Sequence, residues 1–256
     1  MSDFRPRSSS EILDAAFEIY RRYFIIFAAI NIFAAIPVAI SSYLGLTAVL
    51  LQQPDTIVTS YLVRLIGAFI TPFTEGAMAC AASAAYLGMP VDLEGSVRAA
   101  FRRPGRLFVA MFAKWILLVF GLIFFLVPGL VVFKRYFALP MTVLFEDNKV
   151  GDAISRSRKL SNDNGARIFG LLGGVLLFLL VITAVLTKSV TSLTSSVAIT
   201  AVITLLVAAA VSPFGTIVAT LLYYDIRIRK EGYDIELMTQ ALDAGSPLQR
   251  TVMTDN

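Results

Sequence analysis

The stretch TAVITLLVAAAVSPFGTIVATLLYYDIRIRKEG, Thr200–Gly232, decides the fold. No charge occurs from Ser189 to Tyr224, and then five charges fall between Asp225 and Glu231. An apolar run of this length needs lipid around it, because about 20 apolar residues cross a hydrocarbon core of about 30 Å. Tyr223 and Tyr224 stand where amphipathic aromatics mark a membrane interface, and Arg227, Arg229 and Lys230 hold that end in water. If the helix runs on, Asp225/Arg229 and Arg227/Glu231 become i,i+4 pairs, and Gly232 is its stop.

The rest of the chain repeats this alternation. Of 256 residues, 57% are hydrophobic and 16% charged, more apolar surface than a soluble domain can bury. Apolar runs at 23–50, 57–88, 107–127, 129–146, 168–187 and 196–224 predict six transmembrane helices in three hairpins. Pro128-Gly129 reads as the tight turn between the third and fourth. The expected fold is an all-α, polytopic membrane protein forming a single integral membrane domain, 1–256. Its parts are an N-terminal tail (1–9), three helix-plus-hairpin units (10–88, 92–146 and 150–224) and a cytoplasmic tail (225–256).

Charge placement predicts the orientation. Seventeen Lys and Arg residues fall in the two terminal segments and the loops on their side, against Lys188 alone on the other. That bias places both termini in the cytoplasm and the chain in a cell (inner) membrane.

Each hairpin follows an amphipathic segment. DAAFEIYRRYF (Asp14–Phe24) and RAAFRRPGRLF (Arg98–Phe108) match at a shift of 84, and GDAISRSRKLSNDNGARIF (Gly151–Phe169) is a looser third copy. Ser8 and Glu11 have capping-box spacing, and Asp92 can cap the second helix. Leu13, Phe17, Tyr20 and Phe24 form one stripe of the first helix. Such helices either lie in the headgroup plane or pack beneath the hairpins. Arg22, Arg106 and Arg167 recur where each segment enters the membrane, so they are expected as inner-interface anchors together with Tyr223, Tyr224, Arg227 and Arg229.

Chemistry is limited by composition. The chain has no histidine and one cysteine, Cys80, set among Gly76, Ala77, Ala81, Ala84 and Ala85, which read as a ridge for close helix contact. Gly170 and Gly174 read as a second packing ridge. No HExxH or GxSxG occurs. The expectation is no catalytic residue, no metal, no cofactor and no nucleic-acid partner.

Ionisable residues inside spans are costly and point to function. Arg64, Glu75, Lys134 and Arg135 are the candidates for an anionic lipid or solute site, with the three cations placed in the outer half. The competing reading is snorkelling cations and a Glu75 paired with a cation of another span. Lys114 lies shallow enough to snorkel to the cytoplasmic edge.

FRPRSSSEILDAAFEIYRRYF, AAYLGMPVDLEGSVRAAFRR, RYFALPMTVLFEDNKVGDAISRSRKLSNDNG and LYYDIRIRKEGYDIEL together resemble the membrane domain of glycerophosphoryl diester phosphodiesterases. The resemblance covers nearly the whole chain and implies a multi-pass bacterial or archaeal module. Members that carry the activity have a TIM-barrel domain after the membrane part. Here the chain stops soon after the last span, so the resemblance implies the module and not the hydrolase. The expected function is a non-catalytic scaffold or accessory subunit that contacts membrane lipids, anionic lipid included, and other membrane proteins. The alternative is a transporter or flippase-like permease for a lipid phosphate or small anion.

Overall fold

Ser8 opens the first helix. The Glu11 N–H donates to the Ser8 hydroxyl at 3.2 Å, and the Ser8 N–H donates to the Glu11 carboxylate at 2.6 Å, which closes a capping box. Those two hydrogen bonds satisfy donors that a helix start otherwise leaves bare. Asp92 caps a second short helix by accepting from the Gly95 N–H at 2.6 Å. The computed structural model describes residues 5–124, 126–146 and 148–232.

Those residues form ten helices and no strand: α1 (Ser9–Arg22), α2 (Phe24–Leu51), α3 (Pro54–Tyr86), α4 (Leu93–Ala100), α5 (Pro104–Phe124), α6 (Leu126–Tyr136), α7 (Leu139–Phe145), α8 (Val150–Ser161), α9 (Gly165–Leu193) and α10 (Val197–Glu231). Among them four are long and apolar enough to cross a membrane: Phe24–Leu51, Asp55–Tyr86, Gly165–Val190 and Val197–Glu231. The shortest of these, 26 residues, is about 39 Å long at 1.5 Å per residue, more than a hydrocarbon core needs. α5 has 21 residues, while the return leg is broken into α6 of 11 and α7 of 7. α6 alone rises only about 16 Å.

The turn expected at Pro128-Gly129 is not there. Both residues fall in the first turn of α6, where a missing backbone N–H costs nothing because no intrahelical partner exists. The residue between α5 and α6 lies outside the described residues. The chain does double back: Ala110 and Leu117 of α5 share a small core with Val132, Tyr136, Leu139 and Val143.

α2, α3 and α10 form the centre of the bundle, with α9 laid against α10. Each of the three central helices carries a buried proline: Pro37, Pro72 and Pro213. The α2–α3 contact is tightest where a Cβ on Gly67 would come within 2.9 Å of the Pro37 Cβ, so glycine is needed there. At Pro213, side chains bind the surrounding carbonyls. Asn31 Nδ2 donates to Ala208 O at 2.9 Å, and the Tyr20 hydroxyl donates to Ala210 O at 2.8 Å. A proline in a span is tolerated when neighbouring helices satisfy the backbone in this way.

The short helices pack against the longer ones, α1 mainly against α10. α1 buries Ile12 and Ala16, α4 buries Ser96 and Ala100, and α8 buries Ala153, Ser157, Leu160 and Ser161. Phe17 and Phe24, expected on the packing stripe of α1, are exposed instead. The packing side of α1 is Ile12 and Ala16, with Leu13, Ile19 and Tyr20 partly buried against the same core.

Candidate functional site

The charged end of α10 is not a solvated helix end. α10 continues past Tyr224 to Glu231 and stops at Gly232, which adopts the left-handed conformation with φ of 61°. Tyr223 is 0% and Asp225 2% exposed. Two polar networks explain how such groups are buried without loss.

In the first, the Tyr223 hydroxyl donates to Glu146 Oε1 at 2.7 Å, just past the end of α7. Arg156 of α8 lies between Glu146, at 2.5 Å, and Glu231, to which its Nη2 donates at 2.6 Å. Arg227 completes the ring, 3.3 Å from Glu231 and 3.7 Å from Glu146. Hydrogen bonds from Arg156 to Glu231 and Glu146 raise its pKa further, so its charge is permanent. In the second, Asp225 accepts from the Arg7 N–H at 2.7 Å, from Arg167 at 2.8 Å and from Arg229 at 2.9 Å. The Arg7 carbonyl accepts in turn from Arg167 and Arg229. Between the networks, Tyr224 and Ser83 share a hydroxyl hydrogen bond of 2.6 Å, and Tyr86 stacks on Tyr224 beneath the Arg7 guanidinium.

These contacts change the reading of several residues. Tyr223, Tyr224, Arg167 and Arg227, buried or half-buried, and the exposed Arg229 are members of a latch joining the N-terminal segment, α3, α8, α9 and α10. A buried carboxylate binds arginine more strongly than headgroups can, so they do not stand free at the interface. Both expected i,i+4 pairs are present. Arg22 is exposed beside the Tyr23 ring, and Arg106 is half-buried.

The four intramembrane candidates are not brought together. Arg64 is exposed on α3. Lys134 lies against Gly165, where its ammonium leaves no room for a Cβ. The Arg135 carbonyl accepts from Ser157 at 2.8 Å and Ser161 at 3.3 Å. Lys134 and Arg135 therefore sit at the end of the bundle that carries α8, not at the opposite end with Gln52 and Ser196. The expectation of outer-half cations fails for these two because α6 is short and ends in the cap.

Glu75 instead lines a cavity of about 250 Å³ with Lys114, Ser212 and Thr216. The remaining wall is apolar and comes from α5, α7, α9 and the segment between α6 and α7. Among the described residues neither Glu75 nor Lys114 has an ion pair or hydrogen bond. The expected pairing of Glu75 with a cation of another span is thus not made.

A larger groove of about 750 Å³ runs between α1, α9 and α10. Its walls include Leu13, Phe17, Phe178, Ile182 and Phe214, with Arg167 toward one end and Tyr20, bonded to Ala210 O, toward the other. Gly170 and Gly174 form its floor, and a Cβ on either would meet nothing within 4 Å. They open a space and do not pack a helix, contrary to the expectation from their spacing. Gly76 is the packing glycine: a Cβ there would lie 2.6 Å from a Leu107 methyl.

No protein-family model matches the chain, and no curated protein or solved structure matches it significantly.

Proposed function

We propose that this chain is a non-catalytic, multi-pass membrane protein that acts as a scaffold or accessory subunit and holds a phospholipid in the α1/α9/α10 groove. The groove is the observation that carries this reading. Two of its walls, α9 and α10, are among the four helices of membrane-spanning length, so the medium filling it is hydrocarbon. From Arg167 to Ile182 it follows α9 for about 22 Å, the reach of a long acyl chain. Ser9 at the start of α1 and Arg167 lie at the polar end, where a phosphate would meet a cation and a helix N-terminus.

In the same reading the chain crosses a cell membrane six times, with α5 and the broken α6–α7 leg as the third pair. The end carrying α1, α4, α8 and the last turns of α10 faces the cytoplasm. The latch then does mechanical work, tying the N-terminal segment and α8 to the spans.

The test fills the groove. Wild-type protein purified in mild detergent should retain phospholipid by native mass spectrometry, and Gly174→Phe should lose most of it with an unchanged far-UV spectrum. Equal retention in both would end the groove reading.

A further inference from the structure

Glu75 and Lys114 raise a separate question. Opposite charges that line one partly buried cavity gain by closing to contact distance. These two face one cavity and do not close. Their helices are not free to shift. α3 and α5 are locked where Gly76 meets Leu107, and Phe69 and Phe73 stack on Phe108 with ring centroids 5.5 and 6.3 Å apart. A carboxylate and an ammonium thus line one cavity of about 250 Å³ with no ion pair between them.

A ligand that satisfies both must carry both signs. Its cation belongs at Glu75 and its anion at Lys114, with the Thr216 hydroxyl as a further donor or acceptor, while the Ser212 hydroxyl is already bonded to Asn31 and Ala208. Both halves gain charge-assisted hydrogen bonds only if the cation has N–H groups, which favours a primary ammonium over a quaternary one. The rest of the lining is hydrocarbon, including Met111, Phe133 and Leu172. The cavity reaches the outside of the bundle beside Leu176 and Ser212, both exposed. That mouth lies within the membrane-length stretches of α9 and α10.

We infer that the Glu75–Lys114 cavity is a binding site for a zwitterion bearing a primary ammonium and a phosphate, as in an ethanolamine phosphate headgroup. It adjoins the α1/α9/α10 groove, with Val175 and Leu179 lining both, but rests on its own charged residues and not on the groove's occupant. The same chemistry comes either from a membrane lipid entering beside α9 or from the free aminophosphate.

The test uses the whole protein in nanodiscs of mixed ethanolamine and choline phospholipids, with native mass spectrometry of what stays bound. Wild type should hold an ethanolamine lipid in preference to a choline lipid. Glu75→Gln and Lys114→Gln should each lower that retention about tenfold or more, as expected for a lost charge-assisted hydrogen bond. The double variant should be little worse than either single one. Lys114→Arg should keep part of the preference, and Thr216→Val provides a variant with both charges intact if a charge change prevents folding. If no lipid is held but phosphoethanolamine binds to wild type and not to the variants, the site takes the free solute. Gly174→Phe should leave this preference intact, which separates the site from the groove. Equal retention of both lipids, or no difference between wild type and the Glu75 and Lys114 variants in either arm, would overturn the inference.

Discussion

Asp225→Ala is the sharpest perturbation of the latch. Asp225 is 2% exposed and accepts from three donors on three parts of the chain: Arg7, Arg167 and Arg229. Removing one member of a buried ion pair costs about 3–5 kcal/mol, because the remaining charge stays buried without compensation. Here the arginines reach solvent, with side chains 21% and 34% exposed, so water screens part of the loss. The expected cost is about 3 kcal/mol, a fall in midpoint of about 6–12 °C for a chain of this size. The assay is thermal unfolding in detergent by far-UV circular dichroism, paired with limited proteolysis of the N-terminal segment. Proteolysis near Arg7 should accelerate, since the Arg7 N–H and carbonyl are both held by this network. Asp225→Ala combined with Arg167→Met should cost less than the sum of the single changes. A fall under about 2 °C with unchanged cleavage would refute the latch.

Other consequences are as direct. Gly67→Val forces atoms into the Pro37 ring and should destabilise the α2–α3 pair by about 1–3 kcal/mol, read from the thermal midpoint. Asn31→Leu removes the hydrogen bond to Ala208 and should cost about 0.6 kcal/mol, the usual size of such bonds between spans. The Glu11 carboxyl is held down to about 2, from the ordinary 4.5, by hydrogen bonds from the Ser8 N–H and Arg5. Its capping contribution is therefore complete above 4.5 and disappears as pH falls through about 2. Glu11→Gln should flatten any acid-induced fraying of α1 seen by hydrogen exchange across that window.

Hydropathy made the four longest helices legible, because a run such as Ser189–Tyr224 admits no soluble alternative. Local capping was legible too, since Ser8, Glu11, Asp92 and Gly232 act within four residues of themselves. The broken α6–α7 leg was not, because apolar residues at 129–146 continue through the break. Tyr223 and Tyr224 were misplaced for a related reason. A tyrosine at a span end has the same local sequence whether it meets headgroups or a carboxylate 77 residues away, as Tyr223 meets Glu146. The Gly170 and Gly174 spacing suits a packing ridge or a groove floor equally, and only the neighbouring helices decide. Glu75 stands out in the sequence as a charge within an apolar run, whereas its cavity companion Lys114 reads as a snorkelling lysine. Depth along one helix cannot say which way a long side chain bends.

The proposed orientation puts the charged cap in the cytoplasm, and two-sided thiol labelling tests it most directly. Ser96 and Ser157 are buried and unsuited to labelling, whereas Ser10, Ser155, Gln53 and Ser195 are exposed. On a Cys80→Ser background, single cysteines at Ser10 and Ser155 should react with a membrane-impermeant maleimide only after intact cells are permeabilised. Cysteines at Gln53 and Ser195 should react in intact cells. Labelling of the Ser10 or Ser155 position from outside would contradict the orientation and the cytoplasmic latch with it.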